Sequence, residues 1–200
     1  MDSIAVFCRE NALPAALAAA WRARGVTGWT PLQAATWRAG LQRGADDWLV
    51  AAPTSAGKGL VAEVAAACAL ARGRKVLWLA PTRALAAAAA RQMEAAFACM
   101  GARVRCATRD TSALDAAIFN NRFELLVAVY EKAAAWVARQ PHGLAEVGLV
   151  VVDELTALRD PERGGRLDVL LTLIQASPYA PRRLGLTLPN QSRQARSRAL

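Results

Sequence analysis

The sequence predicts an α/β domain in which a mostly parallel sheet is covered by helices on both faces. Three observations lead to this fold class. Short apolar stretches of strand length alternate with longer helical patterns through most of the 200 residues, as in chains that cross over between parallel strands. The strands are almost continuously apolar, as expected for strands buried on both faces. A turn rich in small residues follows the first strand, where parallel sheets bind their ligands.

Two helices are predicted before the first strand. Alanine, leucine and tryptophan recur at helical spacing over residues 13–24 and 32–43. Pro31 follows Thr30 and suits the first turn of the second helix. The first strand is predicted at residues 48–52, and the helix after it begins near Lys58.

The other strands and helices alternate along the rest of the chain. A helix is predicted over residues 60–72, and a longer one runs from Pro81 to Met100. We expect three parts: amino-terminal helices in residues 1–46, the α/β domain in residues 47–190, and a basic tail in residues 191–200. The remaining predicted strands are residues 75–80, 103–107, 123–129, 147–152 and 183–188.

Composition limits the partners and the compartment. The formal net charge of +9 and the pI near 10.4 suggest a polyanionic partner such as nucleic acid, although a basic protein can also lack one. No uncharged apolar run approaches the roughly 18 residues that a membrane span needs, and the first residues do not form a secretory signal. We expect a soluble, cytoplasmic protein with no membrane partner. The four cysteines contain no C-x-x-C pair, which favours reduced thiols.

The stretch after the first strand has the form of a phosphate-binding loop. In such a loop, backbone N–H groups and the start of a helix converge on an anion, and a lysine reaches the outer phosphates. The usual pattern is G-x-x-x-x-G-K-[ST]. Here Ala52 stands at the first glycine, and Gly59 stands where a hydroxyl should bind Mg²⁺. The predicted nucleotide-binding residues are Thr54, Ser55, Ala56, Gly57, Lys58 and Gly59.

The scarcity of lysine supports the role of Lys58. The chain has 25 basic residues, of which only Lys58, Lys75 and Lys132 are lysines. Arginine therefore serves almost wherever a positive charge is needed. A phosphate loop needs a compact ammonium on a flexible stem, a role that a planar guanidinium fills poorly.

Two carboxylates follow the most hydrophobic strand. Asp153 and Glu154 come directly after residues 147–152, a costly place for charge unless it is used. We predict that Asp153 holds Mg²⁺ and that Glu154 orients and deprotonates the attacking water. The same residues could instead cap the next helix. We expect them beside the phosphate loop, at the end of the neighbouring strand.

Six segments resemble, in the correct order, motifs of the first RecA-like domain of superfamily-two helicases. The DExH branch that acts in DNA repair and RNA surveillance is the most similar. Six motifs in order are much more specific than any one of them. Gln33 also occupies the place of the Q motif. The segments are APTSAGKG (52–59), PTRALA (81–86), VYEK (129–132), DELT (153–156), RDPERGGRLDVLL (159–171) and GLTLPN (185–190).

The resemblance implies a role for each matching position. Gln33 would read adenine, Thr54 to Lys58 would hold the phosphates of ATP, and Asp153 and Glu154 would act on Mg²⁺ and water. A further set would face the nucleic-acid backbone, which makes recognition largely independent of sequence and sensitive to salt. That set consists of Pro81, Thr82, Arg83, Tyr130, Glu131 and Lys132.

The departures from the family pattern concern hydrolysis and its coupling to movement. Gly59 replaces Ser or Thr, and Thr156 replaces the histidine of D-E-x-H. The third motif lacks its Ser-Ala pair but retains Leu186 and Thr187. Residues 108–110 occupy the place of the family's T-G-D segment. The resemblance also implies a second RecA-like domain that supplies an arginine finger.

Three functions remain open at this point. The first is the ATP- and nucleic-acid-binding first half of a DNA or RNA helicase, as a fragment or a split subunit. The second is an eroded pseudo-helicase that binds nucleic acid as a scaffold, and the third is an unrelated P-loop protein. The sequence does not distinguish DNA from RNA or give a direction of movement.

Overall fold

The chain forms one six-stranded sheet in which every pair of neighbouring strands is parallel. A computed structural model describes residues 3–44, 46–108, 115–161 and 164–189. The strands lie in the order β1-β6-β5-β2-β4-β3, and the predicted fold class is confirmed. The strands are β1 (Trp48–Ala51), β2 (Lys75–Ala80), β3 (Val104–Ala107), β4 (Leu125–Val129), β5 (Val147–Val152) and β6 (Arg182–Thr187).

Eight α-helices surround the sheet within the described part of the chain. Three 3₁₀ segments accompany them: Ala98–Met100, Pro141–Glu146 and Leu155–Arg159. The helices are α1 (Ser3–Glu10), α2 (Ala15–Ala23), α3 (Pro31–Arg38), α4 (Lys58–Ala71), α5 (Arg83–Phe97), α6 (Asp115–Phe119), α7 (Tyr130–Arg139) and α8 (Gly164–Ala176).

Three helices precede the first strand, so the prediction of two was wrong. The additional helix, α1, buries Ile4, Phe7 and Cys8, which share one face at helical spacing. The second predicted helix is also shorter than expected. It ends at Arg38 because Gly40 adopts a left-handed backbone with φ of 89°, a common way to end a helix.

The sheet separates two apolar cores. Residues of β2 alternate between them, with Val76, Trp78 and Ala80 on one side and Leu77 and Leu79 on the other. This is the two-residue period expected of a strand covered on both faces. Helices α1 to α5 pack on the first face, and α7 and α8 pack on the second.

The amino-terminal helices share the first core with the rest of the domain. Four aromatic rings join them: Phe7, Trp21, Trp29 and Trp37 lie with ring centroids 5.2–6.2 Å apart. Offset and edge-on contacts of this kind add stability beyond the area that they bury. The predicted boundary near residue 46 stays a prediction, and the basic tail lies outside the described residues.

A buried carboxylate, that of Glu63, connects helices α2, α4 and α5. Glu63 of α4 is fully buried and accepts hydrogen bonds from Trp21 Nε1 at 2.7 Å, Arg24 Nη2 at 2.7 Å and Gln92 Nε2 at 2.9 Å. Removing one member of a buried, hydrogen-bonded ion pair usually costs about 3–5 kcal/mol. Glu63 therefore holds α2 and α5 against α4, the helix that begins at the phosphate loop.

The order of the strands corrects one expectation about the site. The phosphate loop follows β1 and Asp153 follows β5, but these strands are not neighbours, because β6 lies between them. Since all the strands run in the same direction, the two features still lie at the same edge of the sheet. Thr187, at the end of β6, therefore stands between them.

Candidate nucleotide site and nucleic-acid surface

The phosphate loop joins β1 to α4 through two left-handed residues. Ser55 has φ of 64°, and Gly57 has φ of 89°. A side chain on Gly57 would collide with the amide of Gln33, so only glycine fits there. Helix α4 begins immediately afterwards, at Lys58. The first N–H groups of a helix have no partner within the helix, so they are free to receive an anion.

Lys58 closes back over the loop. Its Nζ donates to the carbonyl oxygens of Ala52 at 2.6 Å and Pro53 at 2.7 Å. These carbonyls are neutral and do not cancel the charge of the ammonium. Lys58 also lowers the pKa of Asp153 electrostatically, which places its charge near that carboxyl. The loop, Lys58 and Asp153 therefore lie close together at one edge of the sheet.

Gln33 contacts the phosphate loop rather than open solvent. Its side chain is 3% exposed. The Oε1 atom accepts from the Thr30 backbone N–H at 2.9 Å, and Nε2 donates to the carbonyl oxygen of Gly57 at 3.1 Å. Reading adenine would require this amide to exchange at least one of these bonds for one to a base. Its role as an adenine reader stays a prediction.

Thr30 is a loop contact that sequence analysis missed. Its hydroxyl caps α3 and also donates to the carbonyl oxygen of Ala56 at 3.1 Å. The signal available in the sequence was the capping pattern: threonine, then proline, then glutamine three residues after the threonine. This pattern predicts the cap but not the second contact, which depends on where the loop lies.

Space for a side chain exists at Gly59. This residue is exposed in the first turn of α4, and a Cβ atom built there meets no other atom within 4 Å. The absence of a hydroxyl is therefore a property of the residue and not of crowding around it. Thr54 and Ser55 supply exposed hydroxyl groups in the same loop.

Asp153 is held at the end of β5 in a place that disfavours its charge. Its backbone N–H donates to the carbonyl oxygen of Leu79 at 2.9 Å. Burial raises the pKa of its carboxyl, and the nearby charge of Glu154 acts in the same direction. The indole N–H of Trp78 and the ammonium of Lys58 lower the pKa again without reversing the shift.

Trp78 was not predicted to take part in the site. Its Nε1 atom is buried and has no hydrogen bond of regular geometry to any described residue. It nevertheless lowers the pKa of Asp153, so the indole N–H faces that carboxyl. A tryptophan inside an apolar strand is normally interpreted as a core residue. Only the pairing of β2 with β5 brings Trp78 close to Asp153.

Glu154 adopts a left-handed backbone, with φ of 69°. Such a conformation is uncommon for a residue with a side chain and often marks functional sites. Strand β5 ends just before this residue, and the Glu154 carboxylate is exposed. Thr156 reaches the same carboxylate, with Oγ1 donating to Oε1 of Glu154 at 3.4 Å. The residue that replaces the family's histidine therefore contacts the predicted base.

The residues at this edge are chemically suited to a hard cation and a triphosphate. Mg²⁺ prefers oxygen ligands and is usually bound through one or two carboxylates together with substrate phosphates. Asp153 is a partly buried carboxylate whose charge is disfavoured, so a cation beside it would relieve that cost. The position usually filled by a second oxygen ligand, at residue 59, offers none.

The first predicted nucleic-acid segment follows β2. Thr82 caps α5, its hydroxyl accepting from the N–H of Leu85 at 3.2 Å. Pro81 and Thr82 are partly exposed, and Arg83 is exposed at the start of the helix. An exposed cation beside a helix amino terminus can contact a phosphate. This placement is compatible with the predicted role of the segment.

The second segment, after β4, is only partly compatible with its predicted role. Tyr130 is 2% exposed and packs in the second core, so its side chain cannot contact a ligand in this conformation. Glu131 and Lys132 are partly exposed, and Glu131 pairs with Arg166 of α8. The surface role of Tyr130 was predicted from the resemblance of residues 129–132 to a family motif, but the buried face of α7 includes this residue in its first turn.

Residues of three other helicase-like segments lie outside the described part of the chain. These are Arg109 and Asp110 after β3, Glu162 and Arg163 before α8, and Asn190 after β6. The described part of segment 185–190 contacts the phosphate loop, since the carbonyl oxygen of Thr187 accepts a hydrogen bond from the N–H of Ala52 at 3.2 Å.

A parallel α/β sheet with a phosphate loop at the end of one strand and an acid at the end of another defines a P-loop nucleotide-binding domain. A family model described as DEAD/DEAH box helicase matches residues 30–191. The chain therefore belongs to the DEAD/DEAH box helicase family.

Individual relatives agree with this assignment. The chain is 33% identical over 178 residues to the ATP-dependent DNA helicase Hel308 of Pyrobaculum calidifontis, which covers 89% of this chain and 24% of the relative. It is 31% identical over 170 residues to the Hel308 of Methanocella arvoryzae, covering 83% of this chain and 23% of the relative. The chain thus spans about a quarter of these proteins.

A solved structure shows the same fold. The crystal structure of a hypothetical ATP-dependent RNA helicase from Sulfolobus tokodaii superimposes with a TM-score of 0.69 and 22% identity, covering 91% of this chain and 53% of that one. Within the described residues, no helix is both long and apolar enough to cross a membrane.

The raised pKa of Asp153 predicts that the ionised carboxylate, which the predicted function needs, lowers the stability of the folded chain. Because its pKa is higher in the folded chain than in the unfolded one, ionisation at pH 7 opposes folding. We expect Asp153→Asn to increase the free energy of unfolding at pH 7 without Mg²⁺, by about 1.4 kcal/mol for each pKa unit of difference. The gain should vanish at acidic pH, where the wild-type carboxyl is protonated in both states.

Urea denaturation at pH 7 and below about pH 3, where an unfolded aspartate is also protonated, measures this effect. Glu94→Gln is the matched control, since Glu94 is exposed on α5 and lies outside the site. A loss of stability in Asp153→Asn at pH 7, or an equal gain in the control, would contradict the interpretation.

Proposed function

We propose that this chain is the ATP- and nucleic-acid-binding first half of an ATP-dependent helicase. The observation that carries the proposal is the common position of the phosphate loop, Lys58 and Asp153 at one edge of a parallel sheet. Family membership supports the use of ATP, usually with Mg²⁺. The names of the relatives include both DNA and RNA helicases, and the proposal covers either nucleic acid.

In this proposal the nucleotide lies over the ends of β1, β6 and β5. The residues from Thr54 to Gly59 receive its phosphates, and Lys58 leaves its carbonyl partners to reach the outer ones. Asp153 holds Mg²⁺, which would neutralise developing charge on the phosphates. Glu154 orients and deprotonates a water. Gln33 would select adenine by exchanging a bond to the loop or to Thr30 for one to the base.

Nucleic acid is proposed to bind along the ends of β2 and β4, beside the nucleotide. The strand order supports this division, because β2 pairs with β4 on one side and with β5 on the other. Pro81, Thr82 and Arg83 would meet the backbone from one strand end, and Lys132 from the next. Contacts of this kind carry charge and hydroxyl groups but no base-edge readers, so we expect little sequence preference.

A second RecA-like domain is proposed to complete the site. Such a domain supplies an arginine that stabilises the transition state, and arginines of this kind are worth roughly 10³-fold or more in phosphoryl-transfer rate. The chain spans 24% of the Pyrobaculum relative, which leaves room in that protein for further domains. By itself, this chain is expected to bind ATP but to hydrolyse it slowly and to unwind nothing.

A scaffold is the second candidate function. Gly59 favours it because the loop lacks the oxygen that usually binds Mg²⁺, and Thr156 favours it because a hydroxyl replaces the coupling imidazole. A protein with these changes could retain both binding surfaces while losing turnover. The two functions differ in the response of hydrolysis to restoration of residue 59.

The first test concerns Lys58. We expect Lys58→Ala to weaken ATP binding about ten- to a hundredfold, because the variant loses a charge-assisted contact worth roughly 1.5–3 kcal/mol. Calorimetric titration with ATP measures the effect, and Arg91→Ala, an exposed change on α5, is the control. Wild-type affinity in Lys58→Ala would show that the loop does not hold the phosphates.

The second test restores the missing hydroxyl. Threonine and valine have nearly the same shape, and the open space at residue 59 accepts either. We expect Gly59→Thr to strengthen ATP binding about five- to tenfold in the presence of Mg²⁺ but not in EDTA, as one added polar contact should. Gly59→Val should show no such gain.

Hydrolysis of ATP separates the two candidate functions. With a second RecA-like domain and nucleic acid supplied, a helicase half should turn over detectably once Gly59→Thr is introduced, whereas the wild-type chain should be almost inactive. If Gly59→Thr remains inactive, the scaffold is favoured. Equal and substantial turnover in the wild type and in Gly59→Thr would refute the assigned role of residue 59.

The third test concerns Arg83. We expect Arg83→Ala to weaken binding of single-stranded oligonucleotides roughly three- to tenfold for every sequence tested, and to reduce the slope of log affinity against log salt by about 1. Fluorescence anisotropy over a series of salt concentrations gives both quantities. Arg91→Ala, farther along the same helix, is the control, and equal losses in both variants would exclude a specific contact.

A further inference from the structure

A cavity lies at the edge of the sheet opposite the phosphate loop. Its volume is about 320 Å³. The wall contains Gly44, which precedes β1, Pro181, which precedes β6, and Val147 and Gly148, which begin β5. These positions are at the amino ends of the strands, whereas the nucleotide site lies at their carboxyl ends. The cavity is therefore separate from that site.

Four arginines line this cavity and none of its lining residues is acidic. They are Arg43, Arg72, Arg74 and Arg182. They come from three segments of the chain: Arg43 lies ahead of β1, Arg72 and Arg74 lie in the turn between α4 and β2, and Arg182 begins β6. None of the four makes an ion pair with a described residue. Folding therefore concentrates positive charge here.

Three of these arginines are fixed by backbone carbonyl groups. Arg72 donates to Gln42 at 3.1 Å, and Arg74 donates to Ala145 at 2.8 Å and Val147 at 3.1 Å. The carbonyls hold the guanidinium groups in place around the cavity, but they are neutral and leave the charges uncompensated. Arginines at the end of α4 also suit its negative terminus, which accounts for Arg72 but not for the other three.

Arg182 is the most buried of the four. It is 9% exposed, and it donates to the carbonyl oxygens of Asp46 at 2.8 Å and Leu41 at 2.6 Å. Burial lowers the pKa of its guanidinium, and the charge of Arg72 lowers it further. A buried cation beside a second cation is costly unless an anion offsets it.

The acidic residues near the cavity do not fully provide that anion. Asp47 pairs with Arg183, and Glu146 pairs with Lys75. Asp46 and Asp47 raise the pKa of Arg182, but less than burial and Arg72 lower it. Arg43 is exposed and its side chain makes no hydrogen bond or ion pair with any described residue, so its guanidinium is free to contact a ligand.

We propose that this cavity binds a phosphate group, at a second anion site on the side of the domain opposite the nucleotide. Guanidinium forks match the oxygens of phosphate in geometry as well as charge, and here they are held ready by the backbone. The phosphate belongs either to a nucleic-acid backbone or to a free phosphorylated molecule, and two measurements distinguish these sources.

The first measurement uses pyrophosphate as the probe. It is titrated calorimetrically into the 200-residue chain carrying Lys58→Ala, which weakens the phosphate loop. We expect binding to persist in this variant and to fall about tenfold when Arg43→Glu is added. Arg9→Glu, an exposed change on α1, is the matched control for charge. Equal binding with either added change would contradict a phosphate site here.

The second measurement identifies the source with a single-stranded oligonucleotide. If the phosphate is that of nucleic acid, Arg43→Glu should weaken oligonucleotide binding and reduce its salt slope by about 1 or more relative to Arg9→Glu. If it belongs to a small molecule, pyrophosphate binding alone should fall. A fall in both measurements assigns the site to nucleic acid and a fall in pyrophosphate binding alone assigns it to a small molecule, whereas unchanged pyrophosphate binding overturns the proposal.

A second substitution protects the test against misfolding. The Arg43 side chain is exposed and makes no hydrogen bond or ion pair with a described residue, so Arg43→Glu should not lower the melting temperature. Arg72→Gln removes a different charge from the same cavity and should reduce pyrophosphate binding as well. ATP affinity at the phosphate loop should be unchanged by Arg43→Glu, so failure of this proposal is distinguishable from failure of the helicase proposal.

Discussion

The pairing of β6 between β1 and β5 is the constraint on which the nucleotide site depends. Parallel hydrogen bonding fixes Val151 opposite Leu184, and Val50 opposite Leu186. Because of this register, the phosphate loop and Asp153 end at the same level of the sheet although nearly a hundred residues separate them in sequence. The bond from Ala52 to Thr187 then ties the beginning of the loop to the third strand.

The amino-terminal helices belong to the site as much as to the core. Thr30 and Gln33 donate to the carbonyl oxygens of Ala56 and Gly57, so the loop that should receive phosphate is held in shape by α3. Glu63 joins the opposite side of α4 to α2 and α5. A nucleotide that changed the loop would therefore also change the contacts of these helices.

Several features of the nucleotide site lower the stability of the folded chain when no ligand is bound. Ser55 and Glu154 have left-handed backbones, burial raises the pKa of Asp153, and Lys58 has only neutral partners in the loop. Conformational strain and partly buried charge of this kind are typical of binding sites. The cavity lined by arginines at the opposite edge of the sheet also contains partly buried charge, in this case positive. A bound anion would offset the cost of burying that charge.

The sequence alone determined the fold class, the phosphate loop and the acids after β5, because apolar period and local turn chemistry are properties of short segments. It placed β2 and β5 to the residue. It did not determine the order of the strands, the burial of Tyr130, the role of Trp78 beside Asp153 or the gathering of four arginines around one cavity. Those features arise from contacts between segments far apart in the chain, and only the tertiary structure decides which segments meet.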